Sequence, residues 1–353
     1  MRTAEHSGSP GAGSANTGPA EAGPGSASSV AASPAPADGV GPGPSSGRPR
    51  GTPPVERARR RRRRALLEAA SGIGYLSPAL VILGMFLFYP LLKTGYLSAF
   101  ITDVRGRAVR LAGWENYLDV LTSSTFLPSL RLTFLFALMT VPSTIVIALL
   151  LAVMTNRRLR GITLFRTTYA STMAVSAAAA AVMFRALFHP SAGAFNTILG
   201  MLGLPEVGWL TDPSVALVSV ALTTVWMSLG FNFLVLLGGL QSIPDELYEA
   251  AMIDGAGSWR RLVHVTVPLL SPVLLFVGIV LVIDSFQSFG QIDILTQGGP
   301  AGSTNLIVYE IYQNAFTRNE VGFASAQAVV LFLIVLVLTA LQFKISERKV
   351  HYQ

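Results

Sequence analysis

Residues 329–341 read VVLFLIVLVLTAL, an apolar run that contains no charged side chain. A helix needs about 20 mainly apolar residues to cross the roughly 30 Å of hydrocarbon in a bilayer. Helices buried in soluble proteins seldom carry so long a run without a charge, so this stretch favours a membrane helix. This run lies within one of six comparable stretches, which are 73–100, 130–154, 168–188, 215–240, 269–292 and 323–345. The sequence therefore predicts an all-α integral membrane protein with six transmembrane helices.

The composition of the whole chain agrees with a membrane protein. Of its 353 residues, 51% are hydrophobic and only 13% are charged, and the mean hydropathy is +0.53. A typical soluble domain has about 25% charged residues. The chain has no cysteine and only four scattered histidines, so we predict no disulfide and no metal site. The scattered histidines also argue against an intramembrane enzyme, which would need a nucleophile or metal ligands at one depth.

The N-terminal part of the chain differs from the rest. Residues 1–56 are rich in Gly, Pro, Ala and Ser, and such a segment cannot bury enough apolar area to offset the entropy of ordering. We predict a disordered cytoplasmic tail there. Residues 57–72 contain a run of arginines that we interpret as a juxtamembrane anchor at anionic lipid. A nucleic-acid-binding arm is the other interpretation, but the membrane span that follows favours the anchor. We expect that span to remain uncleaved.

The distribution of Lys and Arg among the loops predicts the orientation, because cationic loops are retained on the cytoplasmic side. The arginine run places the N-terminus in the cytoplasm. Successive crossings put the basic segments 156–166, Arg260-Arg261 and 346–353 on the same side. The exterior loop 192–212 has no Lys or Arg, although the first exterior loop, with three arginines, runs against the trend. We predict a multi-pass membrane protein with both termini cytoplasmic.

The loop after the fourth span has the pattern of a helical hairpin. Residues 241–273 read QSIPDELYEAAMIDGAGSWRRLVHVTVPLLSPV. Ser242 is a candidate cap for a first helix that ends at Gly255 or Gly257, and Ser258 is a candidate cap for a second. One face of the first helix carries Leu247, Ala250, Ala251 and Asp254. Judged from periodicity alone, a surface hairpin that merely connects two spans is an equally good interpretation.

The same loop resembles a known motif. Residues 249–251 read EAA, Gly255 follows after three residues, and Val265, Val267 and Pro268 come next. This order is similar to the EAA loop of ABC importer permeases, in which EAA is followed by three residues, G, nine residues, I, one residue, L and P. Valine replaces isoleucine and leucine here, and both replacements are conservative.

A second stretch extends the resemblance. Residues 295–316 read LTQGGPAGSTNLIVYEIYQNAF, and Gly322 opens the sequence GFASA. Both are similar to the exterior segment and the start of the sixth span in the carbohydrate-importer branch, which contains the maltose and glycerol-phosphate permeases. The resemblance covers the chain from about residue 72 to its C-terminus.

The resemblance implies a type I ABC importer permease fold, in which the loop 241–268 is a cytoplasmic coupling hairpin seated in a groove of an ATPase subunit. Glu249 would meet a basic residue there. The residues implied in this coupling are Glu249, Ala250, Ala251, Asp254, Gly255 and Pro268. The hairpin has to be rigid, because closure of two ATPases must move the spans. The permease domain is predicted to cover 73–345.

The resemblance also implies the partners, which are a second permease subunit, two ATP-binding ABC subunits and an extracytoplasmic solute-binding protein. The chain itself contains no GxxxxGK[ST] phosphate loop. We therefore expect that it binds no cofactor, that ATP and Mg are bound by the partner ATPase, and that it is a transport subunit rather than an enzyme. We expect no nucleic-acid partner.

Polar side chains inside the spans are costly and mark candidate positions for a solute. The spacing i, i+3, i+4, i+7 predicts one stripe on the fifth span, formed by Asp284, Gln287, Ser288 and Gln291. The fourth span carries Thr224, Ser228 and Asn232 on one face, with Trp226 nearby as a stacking surface. Such hydroxyl, amide and aromatic groups suit a polyhydroxylated solute. The predicted pathway residues are Asp284, Gln287, Gln291, Asn232, Ser228 and Trp226.

These polar groups have a second interpretation as hydrogen bonds between helices. We favour that interpretation for Thr224 and Ser228, and we favour contact with solute for Asp284, for which pairing with a nearby cation is the alternative. The combined features predict a permease subunit of an ATP-driven, binding-protein-dependent importer that moves a sugar or related polyol by alternating access.

Two other functions remain as alternatives. A secondary transporter or channel for a small polar solute would show inverted repeats, broken helices or a filter sequence, and the sequence shows none of these. A non-transporting assembly scaffold is the other.

Overall fold

The computed structural model describes residues 71–72, 74–156 and 161–347, with the side chains of 346 and 347 excepted. The predicted tail 1–56, nearly all of the basic segment 57–72 and most of the tail 346–353 lie outside the described residues.

The described part of the chain is mostly helical. The helices are α1 (Gly74–Ser98), α2 (Glu115–Thr122), α3 (Phe126–Thr155), α4 (Ile162–Ala174), α5 (Ala177–Leu187), α6 (Ala194–Met201), α7 (Ala216–Gln241), α8 (Asp245–Ile253), α9 (Ser258–Leu269), α10 (Ser271–Phe286), α11 (Gly290–Leu295), α12 (Ile307–Tyr312) and α13 (Val321–Glu347). Two short antiparallel strands, β1 (Phe100–Thr102) and β2 (Ala108–Leu111), form a hairpin between α1 and α2, with Phe100 opposite Leu111.

Four helices are long and apolar enough to cross a membrane, namely α1, α3, α7 and α13. The pairs α4–α5 and α9–α10 meet the same criterion together, and the number of spans reaches six if each pair counts as one. The prediction of an all-α membrane fold is confirmed, and the predicted six spans agree with this count if each bent pair crosses once. The sequence shows no sign of broken helices, whereas in the structure the two helices meet at 102° in the α4–α5 pair and at 74° in the α9–α10 pair.

The bend between α4 and α5 comes from two extended residues. Val175 and Ser176 have ψ values of 126° and 151°, which end the helical path. The Ser176 hydroxyl then caps α5 by accepting a hydrogen bond from the backbone N–H of Ala179 at 3.2 Å. Gly230 of α7 packs against the same bend, where a Cβ would lie 2.5 Å from Thr172 Oγ1. Glycine at this position lets α7 approach the bend closely.

The bend between α9 and α10 coincides with a proline. Leu270 separates the two helices, and Pro272 occupies the first turn of α10. Proline has no N–H and cannot donate to the carbonyl four residues earlier, here that of Pro268, so the helix changes direction. The sequence predicts the fifth span at 269–292, and in the structure the helix after the bend begins at Ser271.

The bundle is held chiefly by contacts between α3 and α7. Ala148 and Ala152 of α3 are fully buried, and they face Phe233 and Leu236 of α7, which are also fully buried. Small residues allow close helix approach, which matters in a membrane because association there depends on van der Waals packing rather than on exclusion of water. By contrast, the most apolar 18-residue stretch of α1 contains no buried residue. Its surface is available to lipid or to another subunit.

Candidate functional site

The hairpin formed by α8 and α9 has well-defined ends. Asp245 and Glu246 lie in the first turn of α8, where negative charge is favourable. The Ser242 hydroxyl donates to the carbonyl of Gly239 at 2.7 Å instead of capping α8, so the predicted cap is wrong, and Pro244 occupies that position. The cap of α9 is likewise Gly257 rather than Ser258.

The turn of the hairpin explains the motif glycine. Gly255 has φ +75°, and its N–H donates to the carbonyl of Met252 at 3.0 Å. The next N–H, that of Ala256, donates to the carbonyl of Ala251 at 2.9 Å. These two bonds form a Schellman motif, in which glycine adopts the left-handed conformation at little cost. The predicted helix end at Gly255 is confirmed.

The hairpin has few internal contacts and exposes much of its surface. The Tyr248 hydroxyl lies 3.2 Å from Thr266 Oγ1 and links α8 to α9. No residue of α8 is buried. The large apolar side chains Ile253 and Trp259 are 87% and 73% exposed. Of the predicted coupling residues, Ala251 is partly buried, and the others are exposed, namely Glu249, Ala250, Asp254, Gly255 and Pro268.

A cavity of about 350 Å³ lies between α3, α7 and the α10–α11 connection. It is lined by Thr140, Thr144, Thr224, Met227, Ser228, Leu281, Asp284, Ser285, Gln287, Ser288, Phe289, Gly290 and Gln291. The predicted pathway residues Asp284, Gln287, Gln291 and Ser228 are thus brought together. The Gln291 amide donates to Thr224 Oγ1 at 3.2 Å, and the hydroxyls of Thr140 and Ser285 lie 3.0 Å apart. Both contacts join separate helices across the cavity wall.

The predicted stripe on a single helix is wrong in one respect. Helix α10 ends at Phe286, so Gln287 and Ser288 lie in the connection and Gln291 belongs to α11. The Ser288 hydroxyl donates to the carbonyl of Asp284 at 3.0 Å and satisfies a carbonyl at the end of α10. The side chains still reach one cavity because α11 begins only four residues after α10 ends.

Two predicted pathway residues lie elsewhere. Asn232 is buried, and its amide donates to the carbonyl of Ser228 at 2.8 Å. Trp226 packs edge-on against Phe184, with ring centroids 5.4 Å apart, in an apolar cluster. Neither side chain is among those that line the cavity.

Asp284 is the one ionisable residue among those that line the cavity. Its side chain is exposed. Among residues 71–72, 74–156 and 161–347, it has neither a hydrogen bond to its carboxylate nor an ion pair. The predicted alternative, in which Asp284 pairs with a nearby cation, has no support in that part of the chain.

A buried polar network on α12 was not predicted. The Glu310 carboxylate accepts hydrogen bonds from Thr125 Oγ1 and Asn305 Nδ2, each at 2.7 Å, and from Arg318 at 2.9 Å. Asn314 also donates to it and to Gln327 of α13. Asn314 lies in the π-helical turn Gln313–Thr317 that continues α12, and Arg318 follows that turn. The spacing 310, 314 and 318 was the signal available in the sequence, because residues four apart are neighbours on a helix.

The charge of Glu310 is maintained by its partners. Glu310 lies outside the membrane-spanning segments, between α10 and α13. Burial raises the pKa of its carboxyl, but the hydrogen bonds that it accepts and the positive charge of Arg318 outweigh burial and bring the pKa below its ordinary value. The network therefore ties α12 to the start of α3 and to α13 through an ionised carboxylate.

Comparison with known proteins identifies the chain's relatives. A family model described as the inner membrane component of binding-protein-dependent transport systems matches residues 122–352. The sn-glycerol-3-phosphate transport system permease protein of Agrobacterium fabrum is 35% identical over 280 residues, which are 78% of this chain and 94% of that protein. The corresponding protein of Brucella abortus is 36% identical over the same shares.

Solved structures share the fold. A bacterial ABC transporter involved in import of the acidic polysaccharide alginate has a chain that matches with a TM-score of 0.69 and 22% identity, covering 83% of this chain and 99% of that one. The alginate transporter in complex with an alginate pentasaccharide-bound periplasmic protein matches with a TM-score of 0.68 and 22% identity, covering 81% and 96%. Since the family model covers more than half of the chain and the relatives exceed 30% identity, this chain belongs to the family of inner membrane components of binding-protein-dependent transport systems.

Proposed function

We propose that this chain forms, with a second permease subunit, the membrane path of an ATP-driven importer for a sugar or related polyol. In this proposal the α8–α9 hairpin receives the motion of an ATPase subunit, and the cavity beside Asp284 contacts the solute. The hairpin and both termini lie in the cytoplasm. An extracytoplasmic solute-binding protein delivers the solute at the opposite end.

The observation that carries the proposal is the direct connection between hairpin and cavity. Only Leu270 separates α9 from α10, and α10 ends at the cavity residues around Asp284. A helix of 16 residues spans about 24 Å at 1.5 Å per residue. Displacement of the hairpin would therefore pass through the bend at Leu270 to α10 and along that helix to the cavity, as in hinge and shear movements.

The surface of the hairpin supports an ATPase partner. Helix α8 contains no buried residue. Ile253 and Trp259 are exposed, so the described residues do not cover their apolar surface. Interfaces commonly centre on such large side chains. Glu249 is exposed and is available to a basic residue of the ATPase. Two ATP-binding subunits would engage the two hairpins of a permease pair.

The cavity supports a polyhydroxylated solute. Hydroxyl groups from Thr224 and Ser228 and amides from Gln287 and Gln291 supply both donors and acceptors. Phe289 adds an aromatic face to the same wall. Sites for small molecules combine an apolar surface with a few placed polar groups in this way.

The bent helices give one reason to consider a secondary transporter, since broken spans are common in that class. The two classes differ in their need for a nucleotide-hydrolysing partner. Uptake in membranes that contain this chain and its permease partner, but no ATPase, would support the secondary transporter and refute our proposal.

The decisive test is charge reversal on the hairpin. In the complete transporter, we expect Glu249→Lys to leave the chain inserted but to abolish uptake and solute-stimulated ATP hydrolysis. Radiolabelled uptake by cells and ATPase activity in proteoliposomes would be measured side by side. Glu206→Lys is the matched control, because Glu206 is also exposed but lies in the loop between α6 and α7. Normal uptake by the Glu249→Lys variant would refute the coupling role.

A further inference from the structure

The only charge among the described residues that line the cavity is negative. Asp284 supplies a carboxylate, and no Lys or Arg of the described chain is among the lining residues. We propose that the cavity accepts polyhydroxylated solutes that are uncharged or carry an ammonium group, and that it rejects anionic ones. This inference rests on the proposed function, since it names the solute class of the same cavity.

Arg185 and Arg318 each have a partner other than Asp284. Arg185 of α5 donates to the carbonyl of Ile294 at 3.3 Å, on the α11 backbone. Arg318 is bound to Glu310 at 2.9 Å. Asp284, by comparison, has no ion pair with any described residue. The negative charge in the cavity is therefore not neutralised by any ion pair with the described residues.

An uncompensated carboxylate has a strong effect in such a place. The Coulomb energy between two charges is about fourfold larger at an effective dielectric constant of 20 than in bulk water. A phosphate or uronate beside Asp284 would experience that repulsion, and the described residues that line the cavity include no guanidinium or ammonium group to oppose it. Anion recognition usually relies on such cations, most often arginine.

The remaining lining groups suit a neutral solute. Thr224 Oγ1 accepts one N–H of Gln291 and donates to the carbonyl of Val220 at 3.0 Å. The carbonyl oxygen and second N–H of the Gln291 amide are left for hydroxyl groups of a solute. The Phe289 ring is stacked with Tyr309 at a centroid distance of 6.1 Å, which fixes its orientation in the wall.

The proposed solute class differs from the cargoes named for the relatives. The relatives from Agrobacterium fabrum and Brucella abortus are named for sn-glycerol 3-phosphate, and the two solved structures described above come from a transporter of the acidic polysaccharide alginate. Both compounds are anions. Similarity to these proteins alone would predict an anionic cargo for this chain. The charge of the cavity argues against that prediction.

The electrostatic potential of the cavity can be measured at a single introduced thiol, because the chain has no cysteine of its own. In the complete transporter, Gln287→Cys puts a thiol in the cavity three residues from Asp284, and Ala192→Cys puts one in an exposed loop as the reference. Each variant is treated with a cationic trimethylammonioethyl methanethiosulfonate and with the anionic sulfonatoethyl reagent. The ratio of the two reaction rates reports the local potential.

We expect the ratio of cationic to anionic rates in the Gln287→Cys variant to exceed the reference ratio by about tenfold, within the range of electrostatic steering. Adding Asp284→Asn should return it to within about threefold of the reference. An equal or faster anionic reaction at the position 287 thiol, or no effect of Asp284→Asn, would overturn the inference. If neither reagent reacts with that thiol or with a second cavity thiol from Ser228→Cys, the cavity is closed to charged solutes and the inference also fails.

Uptake measured on the same samples separates this inference from the proposed function. If labelling of the Gln287→Cys variant blocks uptake while the anionic reagent reacts faster, the cavity is the solute path and only the charge inference is wrong. If labelling leaves uptake unchanged while the cationic preference holds, the cavity is negative but does not carry solute.

Discussion

Gly322 at the start of α13 lies directly against the carbonyl oxygen of Phe100 in β1, so closely that any Cβ at position 322 would overlap that oxygen. The N–H of Gly322 donates to Thr102 Oγ1 at 3.0 Å, a second contact between Gly322 and β1. Gly322 opens the stretch GFASA that resembles the start of the sixth span in carbohydrate importers. Its close packing against β1 is the physical reason for glycine there.

We expect Gly322→Ala to destabilise the protein by about 1–3 kcal/mol, the usual cost of overpacking. The added Cβ meets backbone atoms, which cannot move aside as a flexible side chain can. Thermal unfolding of the purified protein in detergent measures the effect. Gly278→Ala is the matched control, because a Cβ at Gly278 of α10 meets nothing within 4 Å. Equal stability of the two variants would contradict the packing argument.

Glu310 makes stability depend on pH. Because its pKa in the folded protein lies below the ordinary value, its stabilisation is fully present above the pKa of an unfolded Glu, about 4.3. The stabilisation is lost as the pH falls through the folded-state pKa. We expect the melting temperature of the wild type to fall steeply below about pH 4.3, and the Glu310→Gln variant to show a smaller fall.

At neutral pH, Glu310→Gln should also cost about 1–3 kcal/mol, since a glutamine amide presents donors to groups that are themselves donors. Differential scanning fluorimetry across a pH series gives both quantities. Glu206→Gln serves as the comparison, because Glu206 is exposed in the loop after α6. A parallel pH dependence in Glu310→Gln and wild type would show that other carboxylates are responsible.

The exposed apolar tip of the hairpin makes a prediction about assembly. We expect Ile253→Asp to weaken binding of the ATPase subunit by about thirtyfold, which corresponds to the roughly 2 kcal/mol that defines an interface hot spot. Ile253 is 87% exposed, so the stability of the permease itself should not change. Co-purification at increasing dilution measures the loss. Met201→Asp, at an 81% exposed position on α6, should keep the ATPase bound.

The number of spans could be predicted because run length and hydropathy are sufficient to identify an apolar helix. The bends could not be predicted equally well. Val175 and Ser176 carry no Gly or Pro signal, and their extended backbone follows a turn in which Thr172 lies against Gly230 of α7, a tertiary contact. At the other bend the signal was present in Pro272, but the stretch 269–292 was interpreted as one continuous span.

The cavity could be predicted in part from helical periodicity. Thr224 and Ser228 are four residues apart and share one helix face, and the structure brings both to the cavity. Trp226 lies two residues from each of them, and positions i and i+2 do not share a face. Trp226 therefore lies on a different side of α7, where it packs against Phe184. Its prediction as a pathway residue rested on nearness in sequence and did not use this periodicity.

The adjacent threonines of α7 give the last prediction, because they differ in surroundings but not in chemistry. Thr223 is fully buried and its hydroxyl donates only to the carbonyl of Ser219 at 3.0 Å. Thr224 makes the same kind of backbone bond and also accepts the Gln291 amide at 3.2 Å in the cavity wall.

We expect Thr224→Val to raise the KM for uptake about tenfold, since one lost hydrogen bond to solute or Gln291 is worth roughly 1 kcal/mol and the freed amide is left without a partner. Thr223→Val removes an equivalent backbone bond and should leave KM unchanged. Both variants should unfold within about 1 kcal/mol of the wild type. Equal uptake kinetics in the two valine variants would mean that the solute does not contact this face of α7.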